Sequence, residues 1–189
     1  YSIHFLTAIG VGVVGGLNYI FKTTDGGVII GYGWVAYPII LPGNLLPGKI
    51  NGIHISADEQ TIIANGQDYL VKSIDAGLTW TIVYAWVGGI KASGLHLTWK
   101  NDNELWATGS NNLIINTTDA FSTFNFVQPF LATIPPPPPP ISPGRNVQAA
   151  HFYLSQEGYT SRGKDEFYTI DGGYTLALSE TVPFYIQAV

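Results

Sequence analysis

The stretch Ser73-Ile74-Asp75-Ala76-Gly77-Leu78-Thr79-Trp80 decides the fold, because weaker copies of it recur at 23–27, 117–124 and 169–176. Each copy places a Ser or Thr two positions before an aspartate. The four aspartates are Asp25, Asp75, Asp119 and Asp171. Successive aspartates are 50, 44 and 52 residues apart, and a period of this length predicts a repeat architecture of four units. We call the four stretches aspartate turns 1 to 4.

The residue types of an aspartate turn suit a tight β-hairpin. The aspartate can accept hydrogen bonds from backbone N–H groups of its own turn. Glycine follows two residues later as Gly27, Gly77 and Gly173, where it permits a positive φ. The final aromatic residue, Trp80, is expected to pack back over the turn. We therefore predict that the motif stabilises the outer hairpin of each unit and has no catalytic role.

The copies depart from this pattern at a few positions. Turn 3 has Phe121 in the glycine position, which predicts a distorted turn. Ile30 and Leu176 stand where turn 2 has its tryptophan.

Short β-branched runs between Gly, Asn and Pro turns predict four strands in each unit. The units span about 1–43, 49–89, 90–130 and 146–183 of a single repeat domain, 1–189. In unit 1, Val28–Ile30 is expected to begin the fourth strand, and Pro38 to break the chain. In unit 2, Asn65-Gly66 is expected to form the second hairpin turn, because both residues tolerate a positive φ.

The histidines follow the same period, since each lies in the first strand of one unit, 20 to 23 residues before the aspartate. They are His4, His54, His96 and His151. If these strands line a central axis, the imidazoles converge and can bind a metal. In the alternative, each histidine sits between units and is hydrogen-bonded to backbone. We favour the alternative and expect no metal or other cofactor.

A proline-rich insertion, 131–145, separates units 3 and 4 and contains six consecutive prolines at 135–140. Such a run adopts extended polyproline II and cannot pair within a sheet. We expect a stiff bridge between two units. Docking of the run in an aromatic groove of a partner is the alternative.

The composition excludes several classes of protein. The net charge is −5 and the chain has two arginines without a Lys/Arg cluster, which argues against nucleic-acid binding. No apolar run is long enough to insert into a membrane. Without cysteine, neither disulfides nor thiolate metal sites can form. Because the sequence starts at Tyr1 and lacks methionine, we expect a processed product or a piece of a longer chain.

The aspartate turns resemble the Asp-box, also called the bacterial neuraminidase repeat. The stretches Ile3-His4-Phe5 and Lys22-Thr23-Thr24-Asp25-Gly26-Gly27 are most similar to the repeats of photosystem II assembly-factor-like propellers. The resemblance covers most of the chain apart from 38–48 and 131–145. It implies an all-β fold: a β-propeller, or propeller-like array, of about four four-stranded Asp-box blades.

The resemblance does not imply one activity, since Asp-box propellers include sialidases, other glycosidases, sortilin-type receptors, assembly factors and virion proteins. A sialidase-like site implies three arginines, and this chain has Arg145 and Arg162. Another glycosidase needs two nearby carboxylates. The candidates Asp68, Glu104 and Glu166, at or near the second hairpins, are more simply solvated turn residues.

We therefore expect a non-enzymatic binding or structural module. We place it outside the cell or in a virion, as a tail, fibre or capsid-attached component. A protein partner or larger assembly is expected, and a glycan is a second candidate, because Trp34, Trp86, Trp99 and Trp106 can stack on sugars or pack between blades. The alternative is an assembly-factor-like scaffold for a membrane protein complex, in the periplasm or thylakoid lumen. A glycoside hydrolase is less favoured.

Overall fold

The computed structural model of the protein describes residues 2–6, 10–27, 33–85, 94–109, 113–127, 149–152, 157–162, 165–169 and 177–181. These residues form sixteen β-strands and one short 3-10 turn at Pro42–Asn44. The strands make four antiparallel sheets of four, and in each sheet the strands neighbour one another in chain order. The prediction of an all-β fold built from four-stranded units is confirmed.

The strands of sheets 1 and 2 are β1 Ile3–Leu6, β2 Val11–Gly15, β3 Tyr19–Thr23, β4 Val35–Pro38, β5 Ile50–Ile55, β6 Ile62–Gly66, β7 Tyr69–Ser73 and β8 Thr81–Ala85. The strands of sheets 3 and 4 are β9 Gly94–Trp99, β10 Leu105–Gly109, β11 Ile114–Thr117, β12 Asn125–Val127, β13 Ala149–Phe152, β14 Gly158–Arg162, β15 Asp165–Thr169 and β16 Ala177–Thr181. The chain divides into two compact units, Tyr1–Leu97 and Thr98–Val189.

The core of the first unit lies between sheets 1 and 2. Val13 and Ile20 of sheet 1 are fully buried and belong to the same apolar cluster as Ile53, Ile55 and Val71 of sheet 2. Because side chains alternate between the two faces of a strand, these residues belong to one face of each sheet. Burial of branched aliphatic side chains at this interface is the main stabilising contribution.

The fourth strand of sheet 1, β4, has Pro38 as its last residue, paired with Tyr19. The amide of Ile39 donates to the carbonyl of Asn18, and hydrogen-bonded pairs alternate along an antiparallel ladder. The position of Pro38 that lacks an N–H therefore faces away from β3, where an edge strand tolerates proline. The predicted strand start at Val28–Ile30 lies outside the described residues.

The predicted hairpin turn at Asn65-Gly66 is wrong. Asn65 pairs with Leu70 across the hairpin, and Gly66 pairs with Ile50 on the other side, so both are strand residues. A Cβ on Gly66 would lie 2.5 Å from the carbonyl oxygen of Pro47. The glycine is thus required by a close approach of backbone and not by a turn.

Candidate functional site

Aspartate turn 2 is closed by hydrogen bonds among its own residues. The Ser73 hydroxyl donates to Asp75 Oδ1 (2.7 Å) and accepts from the amide of Gly77 (2.9 Å). Asp75 also accepts from the amide of Thr79 at 2.8 Å and from its hydroxyl. The carboxylate is therefore used to hold the hairpin.

Turns 1 and 3 repeat this arrangement. The Thr23 hydroxyl donates to Asp25 Oδ1 (2.6 Å), which also accepts from the amide of Gly27 (2.9 Å). In turn 3 the Thr117 hydroxyl donates to Asp119 Oδ1 (2.8 Å), and Thr123 donates its amide and hydroxyl to the same carboxylate. Turn 4, with Asp171 and Gly173, lies outside the described residues.

Two consecutive residues of each described turn have a positive φ. They are Gly26 and Gly27, Ala76 and Gly77, and Ala120 and Phe121. The distortion predicted for turn 3 is wrong, because Phe121 adopts φ 60° and its amide donates to Thr117 Oγ1 at 3.0 Å, as Gly77 does to Ser73. The backbone strain of roughly 1–3 kcal/mol for a non-glycine residue is offset by burial of the phenyl ring.

A tryptophan covers turn 1 as well as turn 2. In turn 2 the buried Trp80 donates its Nε1–H to the carbonyl of Gly77 at 3.0 Å. In turn 1 a Cβ on Gly27 would lie 2.8 Å from Trp34 Nε1, so this indole lies against the glycine. Trp34 comes four residues after Ile30, which aligns with Trp80 of turn 2 in the sequence. Ile30 itself lies outside the described residues. The longer connection to β4 hid this match.

Hydrogen bonding to the ionised form sets the pKa of two turn aspartates. The Thr79 hydroxyl, followed by the Thr79 amide and the Ser73 hydroxyl, lowers the pKa of Asp75 to about 2. The Thr123 hydroxyl and amide, followed by the Thr117 hydroxyl, lower the pKa of Asp119 to about 2. Both carboxyls are therefore ionised near neutral pH. A general acid requires the protonated form.

Each described turn also bonds to the loop of its own first hairpin. The amide of the first positive-φ residue is the donor: Gly26 donates to the carbonyl of Gly10, Ala76 to that of Gln60, and Ala120 to that of Asn103. Each described aspartate turn, which joins strands 3 and 4 of its sheet, is therefore hydrogen-bonded to the loop that joins strands 1 and 2 of the same sheet.

The histidines of the first strands of sheets 1 and 2 lie next to each other. The rings of His4 and His54 stack with centroids 4.8 Å apart, and His4 Nδ1 accepts from the amide of Ile55 at 3.0 Å. In the first unit the carbonyl of His96 accepts from the side chain of Asn65 at 2.8 Å. His151 lies in β13, opposite Tyr159. Within the described ranges, no three His, Cys, Asp or Glu residues form a metal-binding group.

The three candidate acids belong to three different sheets. Asp68 is exposed in the loop between β6 and β7. Glu104 lies before β10, at the first hairpin of sheet 3 and not at the second as predicted, and it contacts Lys100 (3.4 Å) and Asn101 (3.2 Å). Glu166 is a strand residue of β15. Among the tryptophans, Trp106 is buried. Arg145, Trp86 and the proline run lie outside the described residues.

One face of sheet 1, missed by the sequence reasoning, is apolar and exposed. We call it the outer face, and its large side chains, all exposed or half-buried, are Ile3, Phe5, Val14, Tyr19 and Phe21. The strand register places Gly12, Thr23, Ala36 and Pro38 on the same face of the sheet. The outer face therefore carries no charged residue. Ile3 is 55% exposed and Phe21 38%.

The equivalent face of sheet 2 is buried. Ile53 and Val71 hold the positions of Ile3 and Phe21, and both have no exposed surface. Sheet 1 covers them, and two of its side chains accept hydrogen bonds there. Ser2 Oγ accepts from the amide of Ile53 (3.1 Å), and His4 Nδ1 from that of Ile55.

No protein-family model matches the sequence, and no curated protein sequence matches it either. Solved structures of similar fold were found. YCF48 from Cyanidioschyzon merolae has 14% identity and a TM-score of 0.60 over 90% of this chain and 56% of its own. A structure of YCF48 bound to a D1 peptide has 12% identity and a TM-score of 0.57 over 93% of this chain and 51% of its own.

Two further structures cover smaller parts of longer chains. An ancestral GH74 enzyme has 13% identity and a TM-score of 0.66 over 92% of this chain and 23% of its own. The extracellular domain of a putative one-component system from B. thetaiotaomicron has 9% identity and a TM-score of 0.68 over 98% of this chain and 24% of its own. The fold is thus a propeller-like array of four-stranded sheets. The chain spans about half or less of these similar chains.

Proposed function

We propose that the chain is a non-enzymatic binding or structural module whose partner is a protein, and that its aspartate turns are Asp-boxes that stabilise the sheets. The observation that carries this proposal is the uncharged apolar outer face of sheet 1. Exposed apolar patches of this kind mark interaction surfaces. The absence of charge on the face fits a protein surface of similar character better than a phosphate-rich polymer.

The chemistry of the described acids supports a role without catalysis. Asp25, Asp75 and Asp119 accept hydrogen bonds within their own turns. A glycosidase needs one carboxyl to donate a proton and another to attack or to activate water. A carboxylate held by a serine or threonine hydroxyl and turn amides is poorly placed for either task.

The similar structures support a protein partner in general terms, because YCF48 has been seen with a bound D1 peptide. They favour an assembly-factor-like scaffold as the second candidate function. GH74 enzymes share the fold, so a glycoside hydrolase is the third. An extracellular or virion location remains our proposal, with the periplasm or thylakoid lumen as the alternative. Among the described residues, no helix is both long and apolar enough to cross a bilayer.

Site-specific photo-crosslinking tests the proposal. A benzoylphenylalanine is placed at position 21, on the outer face, and in a matched control at position 74, where Ile74 is 70% exposed but lies in aspartate turn 2. Irradiation in the producing cells is expected to give a discrete protein adduct from position 21 and none from position 74. Equal labelling from both positions would contradict the proposal.

A glycan panel separates the rival functions. The purified protein is incubated with xyloglucan and other glycans, and new reducing ends and retention on immobilised glycans are both measured. We expect neither. Turnover would establish a hydrolase and overturn the non-enzymatic assignment, whereas retention without turnover would replace the protein partner by a glycan.

A further inference from the structure

We infer that two neighbouring loops at one end of sheet 1 insert shallowly into the surface of a zwitterionic lipid bilayer. Their exposed aliphatic side chains, which we call the loop patch, are those of Leu17, Ile40, Leu45 and Leu46. Leu17 is 66% exposed and Ile40 56%. Exposed apolar patches mark contacts with proteins or membranes. The loop patch is separate from the outer face, so the inference goes beyond the proposed function.

The two loops lie side by side. Leu17 is in the loop between β2 and β3, and the other three residues belong to the connection 39–48 between β4 and β5. The amide of Ile39 donates to the carbonyl of Asn18 (2.9 Å), and the amide of Asn18 donates to that of Gly48 (3.0 Å). Both ends of the connection are therefore tied to the β2–β3 loop, and the loop patch is a continuous part of the surface.

The core of the first unit holds the connection in place. Ile39 and Leu41, on either side of Ile40, are buried members of the apolar cluster between sheets 1 and 2. The amide of Leu41 also donates to the carbonyl of Leu45 at 3.1 Å, and Pro42 restricts φ between them. Because the loop is already ordered, its insertion would lose little conformational entropy.

The backbone of these loops forms hydrogen bonds within the protein, which favours a bilayer as the partner. Besides the bonds already given, the amide of Gly48 donates to Asn18 Oδ1 (2.9 Å), and the carbonyl of Pro47 accepts from the amide of Asp68 (3.1 Å). The apolar part of a bilayer offers no hydrogen-bond partner, so an inserted loop must pair its own backbone groups. A protein surface can supply such partners itself.

The composition of the loop patch also favours lipid. Its members are leucine and isoleucine, whereas the residues that dominate binding at protein interfaces are enriched in Trp, Tyr and Arg. The sequence has no charged residue from 26 to 48. A stretch of this length need not span a bilayer in order to lie in its surface layer.

The charges around the loop patch select the type of lipid. Lys49 follows the connection directly, and Asp68 is bonded to Pro47 within it, so one charge of each sign borders the loop patch. The chain as a whole has a net charge of −5. Anionic membranes attract clusters of basic residues, and the border of the loop patch has none. A zwitterionic surface is therefore the better match.

A fluorophore on the loop patch tests the inference directly. The chain contains no cysteine, so Leu46→Cys gives a single site for an environment-sensitive dye. Phosphatidylcholine vesicles are expected to shift its emission to the blue. In the control, Ile74→Cys, the dye replaces a 70% exposed residue of aspartate turn 2, at the end of sheet 2 opposite the connection, and no shift is expected. Equal shifts at both positions, or a shift that requires anionic lipid, would overturn the inference.

Vesicle flotation of unlabelled protein provides a second readout. Ile40→Asp is expected to weaken binding to phosphatidylcholine vesicles by roughly tenfold or more, because a carboxylate does not enter the apolar layer. Ile74→Asp places the same charge away from the loop patch and should leave binding unchanged. Both side chains are exposed, and thermal unfolding verifies that each variant is folded. Undiminished binding of folded Ile40→Asp would contradict the inference.

A photo-crosslinker at position 46 distinguishes lipid from protein. In the producing cells it is expected to give lipid adducts. A discrete protein adduct from this position, with no response of the dye to vesicles, would show that the loop patch binds a protein and not a bilayer. Crosslinking from position 21 reports on the outer face alone, so the inference and the proposed function fail separately.

Discussion

Sheets 1 and 2 each have four strands, an aspartate turn and a histidine in the first strand. They differ in the number of faces that are buried. In sheet 2 both faces are buried, with Ile53 on one side and Leu70 on the other fully buried. In sheet 1 only the face of Val13 and Ile20 is buried. Equivalent positions in the two sheets therefore have different energetic roles, and the same substitution in each measures the difference.

Truncation of the first strand is expected to give the largest contrast. Ile53→Ala removes a fully buried side chain and should lower the free energy of unfolding by roughly 2–4 kcal/mol, the usual cost of a core cavity. Ile3→Ala, at the exposed equivalent, should cost less than about 1 kcal/mol. Urea unfolding followed by tryptophan fluorescence measures both, and equal losses would show that the outer face is covered in the monomer.

The second largest difference in stability between the two sheets is expected when a methyl group is added at a glycine. A Cβ on Gly52 would lie 2.5 Å from Leu97 Cβ and 2.7 Å from its backbone nitrogen, so Gly52→Ala should cost about 1–3 kcal/mol through overpacking. The control is Gly12→Ala on the outer face, where the added Cβ meets the Phe5 ring. That ring is partly exposed and can move, so thermal unfolding should show a smaller loss. A larger loss in Gly12→Ala would contradict the contrast.

Loss of an acceptor between the sheets should have a smaller effect. His4→Ala removes the partner of the Ile55 amide and the ring stacked on His54, at a cost of about 1 kcal/mol. Hydrogen exchange should accelerate at Ile55 in this variant. In the matched variant Ser2→Ala it should accelerate at Ile53 instead. If neither amide responds, the hydrogen bonds between the sheets are not maintained in solution.

The smallest effect on the free energy of unfolding is expected from protonation of Asp75 at low pH. The folded pKa of Asp75 is about 2, below its ordinary value of 3.8, so the carboxylate stabilises the fold above that ordinary value. This contribution is lost as the pH falls through the interval down to about 2. Asp75→Asn should therefore weaken the dependence of unfolding free energy on pH in this window. An unchanged acid slope would mean that the turn opens without affecting the fold.

The sequence could predict the repeat, because turn chemistry is local. Hydroxyl, aspartate and left-handed residues lie within five positions of one another, and their hydrogen bonds close inside the turn. The same locality explains two errors. The residue type of Phe121 predicts a distorted turn, but its buried ring offsets the strain of a positive φ. The pair Asn65-Gly66 predicts a turn, but the glycine is required by a close approach to Pro47, which is distant in sequence.

The candidate interaction surface could not be predicted in this way. Ile3 and Ile53 have the same residue type and the same place in the strand pattern, and only the packing of one sheet on another makes them different. The sequence records which face is apolar but not which apolar face has a neighbour. Trp34 was missed for a related reason, since its distance from Asp25 in the chain differs from that of Trp80 from Asp75.

Pro38 bears on how the protein behaves when it is concentrated. At the free edge of β4 the N–H of Ala36 faces outward, and the next outward position belongs to Pro38, which has no hydrogen to donate. Cross-β growth requires a continuous row of donors on an open strand. This edge is therefore a poor template for amyloid nucleation.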